Sequence, residues 1–81
     1  MKFHYYQETD SLYISLTERP SANSEEVAPG IVLDFDGEGN LVGIDIDHAS
    51  RTVDLSRLEI DRVPFMMNPV QEQEEGKLGI P

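Results

Sequence analysis

The chain contains no cysteine, so neither a disulfide bond nor a metal site built on thiolates can form within it. Its 81 residues leave room for one domain. A chain of this length buries only roughly 60–65% of the surface that it exposes when unfolded. Extra burial must therefore come from an efficient small sheet, a second copy of the chain or a partner chain.

Long apolar runs are absent as well. No stretch approaches the roughly 18–20 residues that are needed to span a bilayer. The opening MKFHYYQETD also lacks the apolar run of a signal peptide. We therefore expect a cytoplasmic protein that does not contact a membrane.

Basic residues are scarce, with 6 lysines and arginines against 16 acids and a net charge of −10. Such a chain repels phosphate backbones, which argues against direct nucleic-acid binding. The charge either keeps a small protein soluble or attracts a basic protein partner. It is concentrated in residues 34–47, which hold five acids and no base.

The sequence contains no recognisable catalytic arrangement. Its serines do not lie in a strained elbow such as G-x-S-x-G, and cysteine is not available as a nucleophile. Acid–base chemistry by paired carboxylates needs a concave pocket, which one small sheet rarely makes. We predict that the protein is not an enzyme and uses no cofactor.

Alternation of apolar and polar residues predicts four strands. The first two, at about residues 3–6 and 12–16, are separated by the polar QETD and form a hairpin. The next two, at about Ile31–Phe35 and Leu41–Ile46, are joined by DGEGN, whose glycines suit a hairpin loop. A short edge piece at Glu25–Ala28 is left open.

The pattern changes after the fourth strand, where Asp47 is a residue type that is common at helix N-caps. Three alternatives remain for the following segment. It could be one broken helix over Asp47–Glu59, or two short helices with Asp54 capping the second. The β-branched pair Thr52–Val53 favours an extended link instead.

These elements predict one α+β domain over residues 1–60. A four-stranded, mainly antiparallel sheet is covered on one face by the helical segment at 47–59. Residues 61–81 form a C-terminal extension that is partly disordered. The predicted core consists of the apolar positions of the strands and the helical segment: Phe3, Tyr5, Leu12, Ile14, Leu16, Ile31, Leu33, Phe35, Val42, Ile44, Ile46, Val53, Leu55 and Leu58.

Residues 34–45, the acidic hairpin, approximate the spacing of a calcium-binding loop, in which oxygens at alternate positions surround the ion. Its twelfth position is an aspartate rather than the longer glutamate, and its flanks alternate like strands instead of helices. A solvated acidic hairpin is therefore favoured over a metal site. The candidate ligands for such a site are Asp34, Asp36, Glu38 and Asp45.

Zinc would need both histidines, His4 and His48, together with Asp45 or Asp47. One histidine lies in the first strand and the other follows the fourth. A surface His4 and a His48 bonded to the backbone are favoured over a zinc site.

A short apolar cluster, Phe65, Met66 and Met67, lies in the extension. Flexible thioethers suit adaptable contacts. The cluster either closes over the domain's own core or lies against a second chain. These three residues are the candidates for partner binding.

Three pieces of the sequence resemble a known family. The opening F-H-Y-Y-x-x-x-D-S-L-Y-I-S-L is similar to the pattern Y-D-x-x-x-D-x-L-Y-I-x-L, although Tyr6 stands where the pattern has Asp. The stretch E-E-V-A-P-G-I-V-L-D-F-D-G-E-G-N-L-V-G-I-D-I and the following D-H-A-S complete the likeness. Over about Lys2–Ser50 they resemble the small bacterial proteins catalogued as domain of unknown function 2283.

The resemblance implies a single α+β domain with an antiparallel sheet, and it assigns no activity. Some members of the family are suspected antitoxins encoded beside a small toxin, which implies a compact acidic protein that sequesters a basic one. The leading hypothesis is therefore a non-enzymatic protein-binding module, with a second copy or a basic neighbour-encoded protein as partner. The alternatives are a metal- or ligand-binding domain that uses the acidic hairpin 34–45, and a purely structural homodimer.

Overall fold

The computed structural model describes residues 1–65 and shows one antiparallel sheet followed by a short helix. The sheet has the strand order β1-β2-β5-β4-β3. In chain order, the elements are β1 (Lys2–Tyr6), β2 (Ser11–Ser15), β3 (Asn23–Ala28), β4 (Ile31–Phe35), β5 (Leu41–Ile46) and α1 (Ala49–Thr52).

Both predicted hairpins are present, and their turns explain the registers. Asp10 closes the β1–β2 turn with a positive φ of 53°. In the β4–β5 turn, Gly39 has a φ of 87°, a left-handed conformation that glycine adopts without steric cost. The two hairpins join where β2 pairs with β5, with Ile14 opposite Ile44.

The prediction of four strands is wrong, because β3 adds a fifth strand that pairs with β4. The edge piece that the sequence left open, Glu25–Ala28, forms the last four residues of this strand. Every side chain of β3 is exposed, so its sequence NSEEVA shows no apolar alternation. The strand is held by backbone hydrogen bonds to β4 and not by buried side chains. A bulge at Val27 interrupts the register of this pairing.

Cross-strand pairing sorts the side chains onto two faces, because residues opposite each other in a sheet point to the same side. The apolar face carries Phe3, Tyr5, Leu12, Ile14, Ile31, Leu33, Phe35, Ile44 and Ile46. The acidic face carries Lys2, His4, Tyr6, Ser11, Tyr13, Ser15, Ser24, Glu26, Val32, Asp34, Gly43 and Asp45.

The buried core of the described residues is small. Its apolar members are Val42, Ile46 and Ala49, at 2%, 8% and 0% exposure. Val42 is the extra residue of a bulge in β5, and its carbonyl accepts a hydrogen bond from the Leu16 backbone N–H at 2.8 Å. Four residues of the predicted core are exposed, so that part of the prediction is wrong: Phe3, Tyr5, Leu55 and Leu58.

The helix is much shorter than the predicted segment at 47–59, and it does not cover a face of the sheet. Its N-cap residue is His48, in a left-handed conformation, rather than Asp47. Val53 ends the helix with extended backbone, whereas Thr52, the other residue of the pair expected to favour an extended link, lies within α1. The Asp54 carboxylate accepts a hydrogen bond from the Ser56 backbone N–H at 3.0 Å, which forms a local turn instead of capping a second helix.

The described part of the chain includes no helix that is long and apolar enough to cross a membrane. Phe65 is the last described residue and is 44% exposed. The other two partner-binding candidates, Met66 and Met67, lie outside the described residues, as does most of the predicted extension 61–81. The boundary at residue 60 stays a prediction.

Candidate functional site

The acidic face places carboxylates on three neighbouring strands. Glu26 and Asp45 lie in one cross-strand row on either side of Val32, and Asp34 lies in the next row. Asp47 follows directly after β5, with its Oδ1 3.5 Å from the Ser11 Oγ. None of these four carboxylates has a lysine or arginine nitrogen of residues 1–65 within 4.0 Å.

Tyr13 organises the centre of this face. Its ring crosses β5 over Gly43, and its hydroxyl donates a hydrogen bond to the Asp34 Oδ2 at 2.9 Å. A Cβ at Gly43 would overlap the Tyr13 hydroxyl and lie 2.6 Å from Cζ. Glycine is therefore needed there, because another group approaches the backbone of this strand closely. The Ser24 hydroxyl donates to the other Asp34 oxygen at 2.7 Å.

Burial and neighbouring carboxylates change the titration of Asp45. Partial burial raises its pKa, and the charges of Asp47 and Asp34 raise it further. Burial, followed by the hydrogen bond to Asp34, likewise raises the pKa of Tyr13. Burial is the larger cause of both pKa shifts, and the neighbouring carboxylates add to it.

A cleft opens beside this cluster. It has a volume of about 380 Å³ and is lined by Tyr6, Thr9, Ser11, Tyr13 and Asp45. The ring of Tyr6 packs edge-on against His4, with 4.3 Å between the ring centroids. The cleft therefore has two tyrosine side chains, the aliphatic hydroxyls of Thr9 and Ser11, and one carboxylate.

The structure separates the four metal-ligand candidates. Asp34 and Asp45 lie on the acidic face, whereas Asp36 folds back into the β4–β5 turn, and Glu38 is exposed at its tip. Among residues 1–65, no group of three or more His, Asp or Glu side chains is placed to hold a metal ion. That result includes both histidines of the zinc alternative.

Asp36 has a structural role in the turn. Its Oδ1 accepts hydrogen bonds from the backbone N–H groups of Glu38 and Asn40 at 3.0 and 2.9 Å. Its Oδ2 accepts from the Arg19 Nε at 2.9 Å. These bonds, led by the one from the Asn40 backbone, lower the pKa of Asp36 to about 2. The residues with calcium-like spacing thus form a turn whose backbone N–H groups are bound by the Asp36 carboxylate.

A second cluster, at Asp10, escaped the sequence reasoning. Its carboxylate accepts hydrogen bonds from the Tyr5 hydroxyl at 2.7 Å and from the Ser50 hydroxyl at 2.7 Å. Its backbone carbonyl accepts from the Ala49 N–H at 2.8 Å. The bond from Tyr5, followed by that from Ser50, lowers the pKa of Asp10. Asp10 therefore caps α1 from the β1–β2 turn.

These observations define a small antiparallel sheet protein with one acidic and one apolar face. The model of the family described as "Protein of unknown function (DUF2283)" matches residues 2–50, so the chain belongs to this family and the predicted resemblance is confirmed. No curated protein and no solved structure matches the chain.

The Asp10 cluster explains why both ends of the matched segment belong together. The D of the opening pattern is Asp10, and the A-S of D-H-A-S is Ala49–Ser50. The structure joins them directly. The signal was thus present in the sequence as two separate pieces, but spacing alone gives no reason to connect them.

Proposed function

We propose that the protein is a non-enzymatic binding module that holds a basic partner protein on its acidic face, in the manner of an antitoxin. One observation carries the proposal. Four carboxylates (Glu26, Asp34, Asp45 and Asp47) lie on or beside one face of the sheet without a lysine or arginine partner in residues 1–65. A surface of this kind attracts cationic proteins and speeds their encounter.

The rest of the face supports protein binding rather than catalysis. Tyr6 is 48% exposed and Tyr13 is fixed in place, and tyrosines are common anchors at protein interfaces. The Ser50 hydroxyl, by contrast, donates to the Asp10 carboxylate, whose lowered pKa makes it too weak a base to activate a nucleophile. Family resemblance supports a partner encoded by the adjacent gene.

The test is co-expression with the product of the adjacent open reading frame, followed by calorimetric titration of the purified pair. We expect affinity to fall steeply between 50 and 200 mM salt, because screening weakens attraction between charged surfaces. The paired variant Asp45→Asn with Asp47→Asn should weaken binding by about tenfold or more.

A matched control removes the same charge elsewhere. Glu59→Gln with Asp61→Asn also neutralises two acids, but these are exposed residues beyond α1, beside Arg57 and Arg62. It should change the affinity by less than about threefold. Equal losses in both variants would show that net charge, and not the acidic face, governs binding. No binding to the neighbour's product would remove the proposal.

The apolar face favours a second candidate, a structural homodimer. Phe3 and Tyr5 on this face are 49% and 42% exposed, and no large side chain of residues 1–65 is fully buried. Glu25 is the only acid in the cross-strand rows of this face. Two copies could therefore pack these faces together with Glu25 as the one acid that each brings from these rows, leaving both acidic faces outside.

Sedimentation equilibrium tests the homodimer. We expect a dimer that dissociates on dilution, and Ile14→Lys should shift it to monomer because it places a charge in the middle of the apolar face. Tyr6→Lys, on the acidic face, is the control and should leave the dimer intact. A wild-type monomer at every concentration excludes this candidate.

A further inference from the structure

We propose that the cleft between Tyr6 and Tyr13 binds a single guanidinium or ammonium group, with the Asp45 carboxylate as its counter-ion. This goes beyond the proposed function, because such a cleft can bind a free organic cation whether or not a protein docks on the face. The cation could be the head of an arginine or lysine side chain of a protein, or a small free molecule.

The sheet itself sets the geometry of the cleft. Tyr6 lies opposite Ser11, and Tyr13 lies opposite Asp45 one row away, so two aromatic side chains and a carboxylate share one face of three adjacent strands. The cleft volume of about 380 Å³ is near the lower end for ligand pockets. It suits one side-chain head group rather than a nucleotide or a peptide segment.

Both rings already have contacts within the sheet before any ligand arrives. Tyr13 is fixed at its hydroxyl by Asp34 and below by Gly43. Tyr6 packs edge-on against His4. Preorganised aromatic side chains lose little conformational entropy on binding, which leaves more of the interaction energy for affinity.

The chemistry of the lining selects for a weakly hydrated cation. Aromatic faces attract guanidinium and alkylammonium groups through their quadrupoles, most strongly when the cation is partly desolvated. Partial burial disfavours the ionised form of Asp45, the charges of Asp47 and Asp34 disfavour it further, and a bound cation relieves that repulsion. Anions are repelled for the same reason.

A divalent metal ion fits less well than an organic cation. Calcium takes six to eight oxygen ligands, and magnesium keeps a strict octahedral shell. The cleft offers one carboxylate and two side-chain hydroxyls besides the tyrosines, and residues 1–65 contain no cluster of three metal-binding side chains.

Amide chemical shifts of the isotope-labelled protein test the proposal with a matched pair of ligands. N-acetyl-arginine amide carries the cation, whereas N-acetyl-citrulline amide has nearly the same shape without charge. We expect saturable shifts at Tyr6, Ser11, Tyr13 and Asp45 with the arginine compound, and affinity at least about tenfold weaker for the citrulline compound. Equal binding of the two, or unsaturable shifts spread over the surface, would overturn the proposal.

Variants separate the cleft from its surroundings. Tyr6→Leu and Asp45→Asn should each weaken binding of the arginine compound by about fivefold or more. Phe3→Leu, on the apolar face, and Glu59→Gln, a distant neutralised acid, should leave it unchanged. Melting temperatures confirm that each variant is folded. Wild-type affinity in a folded Tyr6→Leu or Asp45→Asn protein contradicts the proposal.

Two further arms identify the source of the cation and keep this proposal apart from the preceding one. If a basic partner protein displaces the arginine compound, the natural occupant is a protein side chain. If spermidine or free arginine binds more tightly than the blocked amino acid and a partner protein does not compete, the occupant is a small molecule. In the second case the cleft stands while the partner-binding function fails.

Discussion

The two faces of the sheet share the same strands but are stabilised in different ways. The apolar face is packed only through its centre, where Ile46 is 8% exposed while Phe3 at the margin is 49% exposed. On the acidic face, hydrogen bonds to Asp34 hold Tyr13 and Ser24. Strand alternation thus produces an apolar face that stays partly exposed to solvent and an acidic face whose carboxylates have no lysine or arginine partner among residues 1–65. The two proposed partners, a basic protein and a second copy of the chain, would each supply what one face lacks.

Placing a charge on the apolar face should have the largest effect on stability. Ile46→Asp places a carboxylate at a buried position without a partner, and we expect a loss of about 4 kcal/mol or more in the free energy of unfolding. A domain of this size is then mostly unfolded. Circular dichroism and urea titration measure the loss.

The matched change on the acidic face is Val32→Asp, beside Asp45 on the neighbouring strand. It adds only like-charge repulsion at a half-buried site, and we expect a loss of about 1 kcal/mol. Equal losses from the two variants would show that the faces do not differ as described.

Changes in the turn between β4 and β5 should cause the second largest loss of stability. Asp36→Ala removes the acceptor for two backbone N–H groups and for Arg19, and we expect the melting temperature to fall by roughly 10 °C. Glu38→Ala, in the same turn, is the control and should have little effect, since Glu38 is exposed.

The same carboxylate predicts a dependence on pH. Because the pKa of Asp36 is about 2 in the folded protein against an ordinary 3.8, its stabilising contribution is fully present above about pH 4. The contribution should disappear as the pH falls to about 2. Chemical unfolding of wild type and Asp36→Asn across this range checks the sign. A stability difference that grows on acidification would contradict the assignment.

Gly43→Ala tests the close approach on the acidic face. The added methyl must displace the Tyr13 ring and break its bond to Asp34, so we expect a loss of about 1–2 kcal/mol in the free energy of unfolding. Gly37→Ala is the matched control, because nothing lies within 4 Å of the added carbon. A folded Gly43→Ala protein should also have a Tyr13 pKa nearer its ordinary value, which ultraviolet titration measures.

The smallest effect should be a gain in stability on replacing Asp45. Asp45 has a raised pKa, so its ionised form lowers the stability of the folded state as the pH rises above the ordinary carboxyl pKa of 3.8. Asp45→Asn should therefore raise the melting temperature at pH 7 by a few degrees, and the difference should vanish near pH 3. A lower melting temperature at pH 7 would show that Asp45 stabilises the face.

Most of the sheet was predictable because alternation is a local signal. The hairpins β1–β2 and β4–β5 follow from apolar residues at every second position and from turn residues between them. β3 was not predictable in full, since an edge strand with both sides in solvent has no apolar pattern. The length of α1 was also missed, because Val53 and the Asp54 turn end it after one turn.

The candidate site could be predicted only in part. Asp34 and Asp45 were identified by their spacing, but pairing across strands decides that they share a face while Asp36 turns inward. Tyr6 and Tyr13 join the cleft through the register of β1, β2 and β5, which short-range patterns do not encode. The cap at Asp10 joins residues 40 positions apart, beyond the reach of any local rule.

The glutamates and the bulge of β3 have a consequence for aggregation. An exposed strand margin offers unpaired backbone groups on which foreign strands can stack into fibres. Glu25 and Glu26 place repelling charges along that margin, and the irregularity at Val27 spoils its straightness. The opposite margin, β1, is regular and has no acidic side chain, so fibre growth in a destabilised protein should begin there.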